Sequence, residues 1–166
     1  ALGAVGVALF DATKGAMEDA AAQDVLARNL RATTGATDKQ IQANENWIAS
    51  QGQLLGVSDD QLRPAITKLA RATGSLSKAQ ALASQAMDIA AATGKPLETV
   101  TSALEKAYGG NMTALQKLAP EYRQMIKDGA SFDEVMARLQ ATTGGAAQTF
   151  ANTAEGGMKR LTLGIS

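Results

Sequence analysis

The residues of this chain that could perform acid–base chemistry are its carboxylates, because the sequence contains neither histidine nor cysteine. Glu98 and Glu105 share one face of a predicted helix, and Asp133 and Glu134 stand together at a predicted helix start. A general acid needs burial beside a substrate cleft. The surrounding pattern indicates no such burial, and acids in a first helical turn are explained by the helix dipole. We therefore predict no catalytic residue and no enzymatic activity.

Two short stretches resemble ligand-binding loops only in part. Residues 128–134 lack the alternating oxygen ligands of a calcium loop. The glycine–lysine pair at 94–95 lacks the earlier glycine of a phosphate loop, since Ile89 stands in that place. The turn at 108–111 is typical of a helix connection, and the single tryptophan, Trp47, is typical of a core or interface anchor. We predict no metal ion and no cofactor.

Charge and composition exclude further classes of protein. The 16 basic and 16 acidic residues are divided equally between the two halves of the chain, so no basic arm is available for nucleic acid. Without cysteine or histidine the chain forms no disulfide and no zinc finger. The uncharged residues 1–10 are too few to span a bilayer, which needs about 20. We predict no sequence-specific nucleic-acid partner.

The elements that must position these residues are helices. The chain has 34 alanines but only 12 valines and isoleucines together, which favours helices over strands. Glycines at 35, 74, 94, 129 and 144 follow helical patterns, as helix stops do. Capping boxes begin at Thr37, Ser58, Ser77 and Ser131. Helices are predicted over 1–33, 38–56, 59–73, 78–93, 96–108, 112–127, 132–143 and 146–164, with Pro120 either kinking the sixth or beginning another.

Apolar residues recur along these helices at three- and four-residue intervals, which predicts an all-α fold. We expect a compact bundle of seven to eight short helices, flanked by helices that extend off both ends. The N-terminal extended helix covers 1–33, and the bundle covers 34–145. A C-terminal helix over 146–166 leads into an adjoining segment, because the chain begins inside a helical pattern and is expected to belong to a longer protein.

Both ends of the chain carry short seams rich in alanine and glycine. Their spacing is that of a coiled coil, and small residues allow close helix approach while burying little area each. Such helices gain more from a further partner than from folding alone, so we predict a homo-oligomer. The predicted interface residues are Leu2, Val5, Leu9, Phe150, Ala154 and Leu161.

Five stretches of the sequence together resemble a known family. They are LGVSDDQLRPAITKLARATG at 55–74, AQAL at 79–82 leading to MDIAAATGKPLE at 87–98, ALEKAYGGNMTALQKL at 103–118, IKDGASFDEVM at 126–136 and GGAAQTFANTAEGGMKRL at 144–161. The combination is similar to the helical module of phage tail tape measure proteins, especially those of long non-contractile tails. The resemblance lies in helix stops and spacings over residues 55–161, not in catalytic residues.

The resemblance implies a structural role in a virion. Tape measure proteins thread the tail tube as long helices, set its length during assembly and leave it ahead of the DNA. The resemblance therefore implies a location in the tube lumen or at the tail tip. It also implies a homo-oligomer, commonly a trimer, with tube and tail-tip or baseplate proteins as partners and contact with the host membrane during ejection.

Three other functions stay open at the level of sequence. A membrane-active or pore-forming module is suggested by the uncharged residues 1–10, if the helix continues upstream. A wall hydrolase would have to use Glu98 and Glu105. A cytosolic helical scaffold differs from the virion hypothesis only in its context, which the sequence does not contain.

Overall fold

The computed structural model describes the backbone of residues 2–153 and the side chains of residues 15–153. Within this part of the chain there are nine α-helices, one 3₁₀ turn and no strand. The helices are α1 (Leu2–Thr34), α2 (Asp38–Leu55), α3 (Asp59–Thr73), α4 (Leu76–Thr93), α5 (Leu97–Tyr108), α6 (Thr113–Leu118), α7 (Arg123–Lys127), α8 (Phe132–Thr143) and α9 (Ala146–Ala151). The predicted all-α multi-helix bundle is confirmed.

Helix α2 begins at the capping box that the sequence predicts. The Thr37 hydroxyl accepts the backbone N–H of Gln40 at 3.2 Å, and the Gln40 side chain accepts the N–H of Thr37 at 2.9 Å. The hydroxyl of Ser131 likewise accepts the N–H of Glu134 at 3.2 Å and begins α8. These contacts satisfy amide groups that have no carbonyl partner within the helix.

The predicted capping box at Ser77 is wrong. Helix α4 begins two residues earlier, because Ser75 follows directly on the left-handed Gly74 that ends α3 and its hydroxyl accepts the N–H of Lys78 at 3.3 Å. Ser77 lies inside the helix. Gln80, expected in the box, instead donates from its amide to Asn44 of α2 at 2.8 Å.

The predicted sixth helix over 112–127 is divided at Pro120. Ala119 leaves the helical region with φ −133° and ψ 81°, as expected of a residue before proline. A 3₁₀ turn, Pro120–Tyr122, then connects α6 to α7. The predicted eighth helix over 146–164 ends at Ala151, and residues 154–166 lie outside the described part of the chain.

Helix α3 lies at the centre of the bundle and packs against α1, α2, α4 and α5. Its inner face consists of Leu62, Ile66 and Leu69, all completely buried. Each such side chain contributes about 1.5–3 kcal/mol by leaving water. The buried face of α4 combines Leu82, Met87 and Ile89 with alanines such as Ala83 and Ala86, which are completely buried. The small alanine side chains allow α4 to approach α3 and α5 closely.

The two ends of the described chain pack differently. In α1, Leu26 and Leu30 are buried, whereas Met17 and Val25 are 68% and 50% exposed. At the other end, α9 packs against α4 and α2, and the N–H of Ala147 donates to Asp88 at 3.0 Å. The packed unit therefore includes α9 and extends beyond the boundary expected at residue 145.

Because α4 packs closely on α3 and α5, its buried alanine positions should not tolerate larger side chains. Ala86→Leu should lower the free energy of unfolding by about 1–3 kcal/mol, because overpacking forces strained rotamers or a backbone shift. Ala81→Leu on the exposed face of the same helix is the control and should change it by less than about 0.5 kcal/mol. Urea denaturation measures both, and equal effects of the two substitutions would contradict the packing described for α4.

Candidate functional site

None of the four carboxylates that could act as general acids is buried. Glu98, in the first turn of α5, has a side chain that is 84% exposed and lies 3.8 Å from the ammonium of Lys68. Glu105 is half-buried on the same helix, and Asp133 and Glu134 are exposed in the first turn of α8. The structure therefore does not place these groups in the desolvated cleft that general acid catalysis uses.

The stretches that partly resembled ligand loops make structural contacts. The Lys95 ammonium donates to the carbonyls of Lys117 and Leu118 at 3.3 and 3.4 Å, at the C-terminal end of α6. A cation there is favoured by the helix dipole. Before the 108–111 turn, the Tyr108 ring packs edge-on against Phe132, with centroids 5.4 Å apart.

A buried ion pair joins α2 to α3. Arg63 of α3 is 8% exposed, and its guanidinium donates to Glu45 of α2 at 3.2 Å and to Asp59 at 2.8 Å. Burial by itself lowers the pKa of Arg63, but hydrogen bonds and charge from Glu45, followed by those of Asp59, outweigh it and raise the pKa. The guanidinium therefore stays charged, and the pair resists separation because either partner alone would be a buried, uncompensated charge.

A second polar contact joins α2 to α4. Asn44 is completely buried, and its carbonyl oxygen accepts the Gln80 amide at 2.8 Å. Leaving a buried acceptor without a partner costs about 1–3 kcal/mol, so this contact favours one register of α2 on α4. The sequence alone does not predict that Asn44 pairs with Gln80, because the pairing depends on which helices meet.

Three carboxylates from two helices meet on the surface. Oxygens of Asp19, Asp59 and Asp60 all lie within 4.8 Å of one another, with Asp59 also bound to Arg63. No pattern in the sequence pointed to this cluster. Asp19 belongs to α1, and only the packing of α1 on α3 brings it to the α3 N-terminus.

A hollow of about 250 Å³ lies beside this cluster, between α3 and α5, and we name it the acid hollow. Its polar lining includes Asp60, Glu98, Lys68 and Thr101. Thr101 is completely buried, and its hydroxyl has no hydrogen-bond partner within the described chain. The hollow therefore offers the carboxylates of Asp60 and Glu98 to a group that enters it, whereas the Thr101 hydroxyl oxygen is itself buried.

A groove of about 410 Å³ follows on the other side of Glu98, between α5 and α6, and we name it the lysine groove. Lys95, Lys106 and Lys117 line it, and Glu98 is the one acid that the described residues contribute to it. Lys106 and Lys117 are exposed and form no ion pair with an acid among residues 15–153. A chain of zero net charge thus carries adjacent acidic and basic surfaces.

The predicted interface residues are only partly located. Phe150 of α9 lines an apolar groove of about 440 Å³ together with Leu55, Val57 and Met87. Leu2, Val5 and Leu9 lie in α1, where the backbone is described but the side chains are not. Ala154 and Leu161 lie outside the described residues.

Comparisons with known proteins assign no family. The chain matches no protein-family model, no curated protein and no solved structure. Among the helices of residues 2–153, none has both the length and the apolar character needed to cross a membrane.

The buried ion pair allows a prediction about the free energy of unfolding. Arg63→Met leaves Glu45 buried without its cation and should lower the free energy of unfolding by about 3–5 kcal/mol. Adding Glu45→Leu should recover most of that loss, since an apolar pair of similar volume is tolerated.

The matched control for the ion pair is Arg28→Met, which removes the Arg28–Asp24 pair on exposed α1. Exposed pairs contribute at most about 1 kcal/mol. Chemical denaturation of the wild type and the three variants measures the difference. A loss after Arg63→Met no larger than after Arg28→Met would show that the Arg63 pair is not desolvated.

Proposed function

We propose that this chain is a segment of a tail tape measure protein, a virion structural protein that sets tail tube length and leaves ahead of the DNA. The single observation that carries the proposal is the resemblance over residues 55–161 to the helical module of that family. The all-α bundle is the architecture that this resemblance implies. The proposed role is structural rather than catalytic, and it is supported by the absence of burial at Glu98, Glu105, Asp133 and Glu134.

The shape of the molecule bears on its place in a tail. Helix α1 contains 33 residues, and a helix of that length extends about 50 Å. The bundle that follows is several helices wide, so it needs more room than a single helix or a three-helix rod. We place the bundle at the tail tip, with α1 directed along the tail axis, and expect tail-tip or baseplate proteins as neighbours.

The proposed assembly is a homo-oligomer, with a trimer as the expected number of chains. Support comes from α1, where every residue from 15 to 21 is exposed. Isolated helices are marginal in water, and most helical stability in proteins comes from tertiary packing. Association of α1 with other copies through its Leu2, Val5 and Leu9 stripe would provide such packing.

A deletion in the full-length gene tests the proposal. Peptides from this segment should be found by mass spectrometry in purified wild-type virions. In-frame removal of residues 38–143 should leave the tail tube length unchanged if the bundle occupies the tip. If the segment is instead extended along the tube, its removal should shorten the tube by up to about 160 Å, at 1.5 Å per helical residue.

Electron microscopy measures the tube lengths, with the unmodified virus as the control. If wild-type virions contain no peptide of the segment, the virion proposal is wrong and a cytosolic scaffold becomes the better explanation.

A further inference from the structure

We infer that a second copy of this chain docks on the surface formed by the acid hollow and the lysine groove. Each copy places lysines of its groove, foremost Lys106 and Lys117, against the acid hollow of the other. The inference rests on the proposed function in one point only, which is that copies of this chain form a homo-oligomer. This contact uses other residues than the predicted stripe at Leu2, Val5 and Leu9.

The chemistry of the acid hollow favours an ammonium group as its occupant. An ammonium group donates three hydrogen bonds and accepts none. The acid hollow presents carboxylate acceptors at Asp60 and Glu98. Lys68 also lines the hollow, and its ammonium donates to Ser102 at 3.1 Å and lies 3.8 Å from Glu98. Asp60 is therefore the carboxylate of the hollow that has no cation as its partner among the described residues.

The charges of the two surfaces are complementary in sign. The carboxylates of Asp19, Asp59 and Asp60 lie close enough to repel one another, and Asp60 also lines the hollow. Among the described residues only Asp59 of the three has a cation, Arg63, as its partner. In the groove, Lys106 and Lys117 are exposed, and the described chain brings no acid within ion-pairing distance of them. Complementary charge favours association and determines orientation.

The two surfaces are also adjacent. Glu98 lines both the hollow and the groove, so the acidic and basic surfaces lie side by side along α5. A surface that is acidic at one end and basic at the other is complementary to itself after a two-fold rotation. Two copies therefore form two equivalent contacts and close as a dimer. A trimer through α1 would be a separate contact.

Disulfide trapping tests the contact directly, because the sequence lacks cysteine. Pro64→Cys introduces a thiol at the acid hollow, and Ala114→Cys introduces one at the lysine groove. The two variants are mixed and oxidised, and the mixture should give a disulfide-linked heterodimer. Ala137→Cys on the exposed face of α8 is the matched control and should not be trapped with either variant.

Charge reversal then separates this contact from chance collision. Lys106→Glu with Lys117→Glu on the Ala114→Cys chain should reduce heterodimer yield at least about tenfold. Adding Asp19→Lys and Asp60→Lys to the Pro64→Cys chain should restore the yield, because the signs are complementary again. Raising the salt concentration from about 0.05 to 1 M should also reduce the wild-type yield, since the Debye length falls to about 3 Å.

Three results overturn the inference. They are a yield equal to that of the Ala137→Cys control, a yield insensitive to charge reversal, and failure of the reversed acids to restore it. A chain that carries both Pro64→Cys and Ala114→Cys should give closed dimers, and a ladder of larger species contradicts the two-fold arrangement. None of these outcomes depends on whether virions contain the segment. The contact between copies and the virion role are therefore tested independently.

Discussion

The packing of α3 against α4 and α5 is the contact on which the rest of the structure depends. Leu62, Ile66 and Leu69 on α3 are completely buried, and alanines on α4 allow the helix axes to approach. A chain with so few aromatic residues gains its core from many small contacts rather than from a few large side chains. Helices α1 and α2 then pack on α3, and α9 packs on α4.

Polar contacts determine how the outer helices sit on this centre. Arg63 binds Glu45, and Asn44 binds Gln80, so α2 is tied to both α3 and α4. A buried ion pair adds little net stability compared with a well-packed apolar pair, but its disruption costs much more. Such contacts therefore disfavour other registers of α2. The assembly of the helices explains why these polar groups are buried, and no substrate is needed to account for them.

The surface is organised by charge although the whole chain is neutral. Acids in the first turn of α3 and α5 stabilise those helix starts through the dipole, and Lys95 does the same at the end of α6. Tertiary packing then gathers these locally favourable charges into the acid hollow and the lysine groove. The proposed contact between copies follows from this arrangement, whereas the proposed structural role rests on the resemblance over residues 55–161.

The sequence by itself determined the helical class, the stops at glycine and the starts at Thr37 and Ser131, because caps and apolar stripes act within a few residues. The sequence left open whether Pro120 kinks a helix or begins another. It also indicated Ser77 as the cap of α4, whereas Ser75 caps that helix in the structure. Only the tertiary structure decided that Asp19 meets Asp59 and Asp60, that Arg63 pairs with Glu45, and that Thr101 is buried beside a hollow. These pairings join different helices, and local patterns contain no information on which helix faces meet.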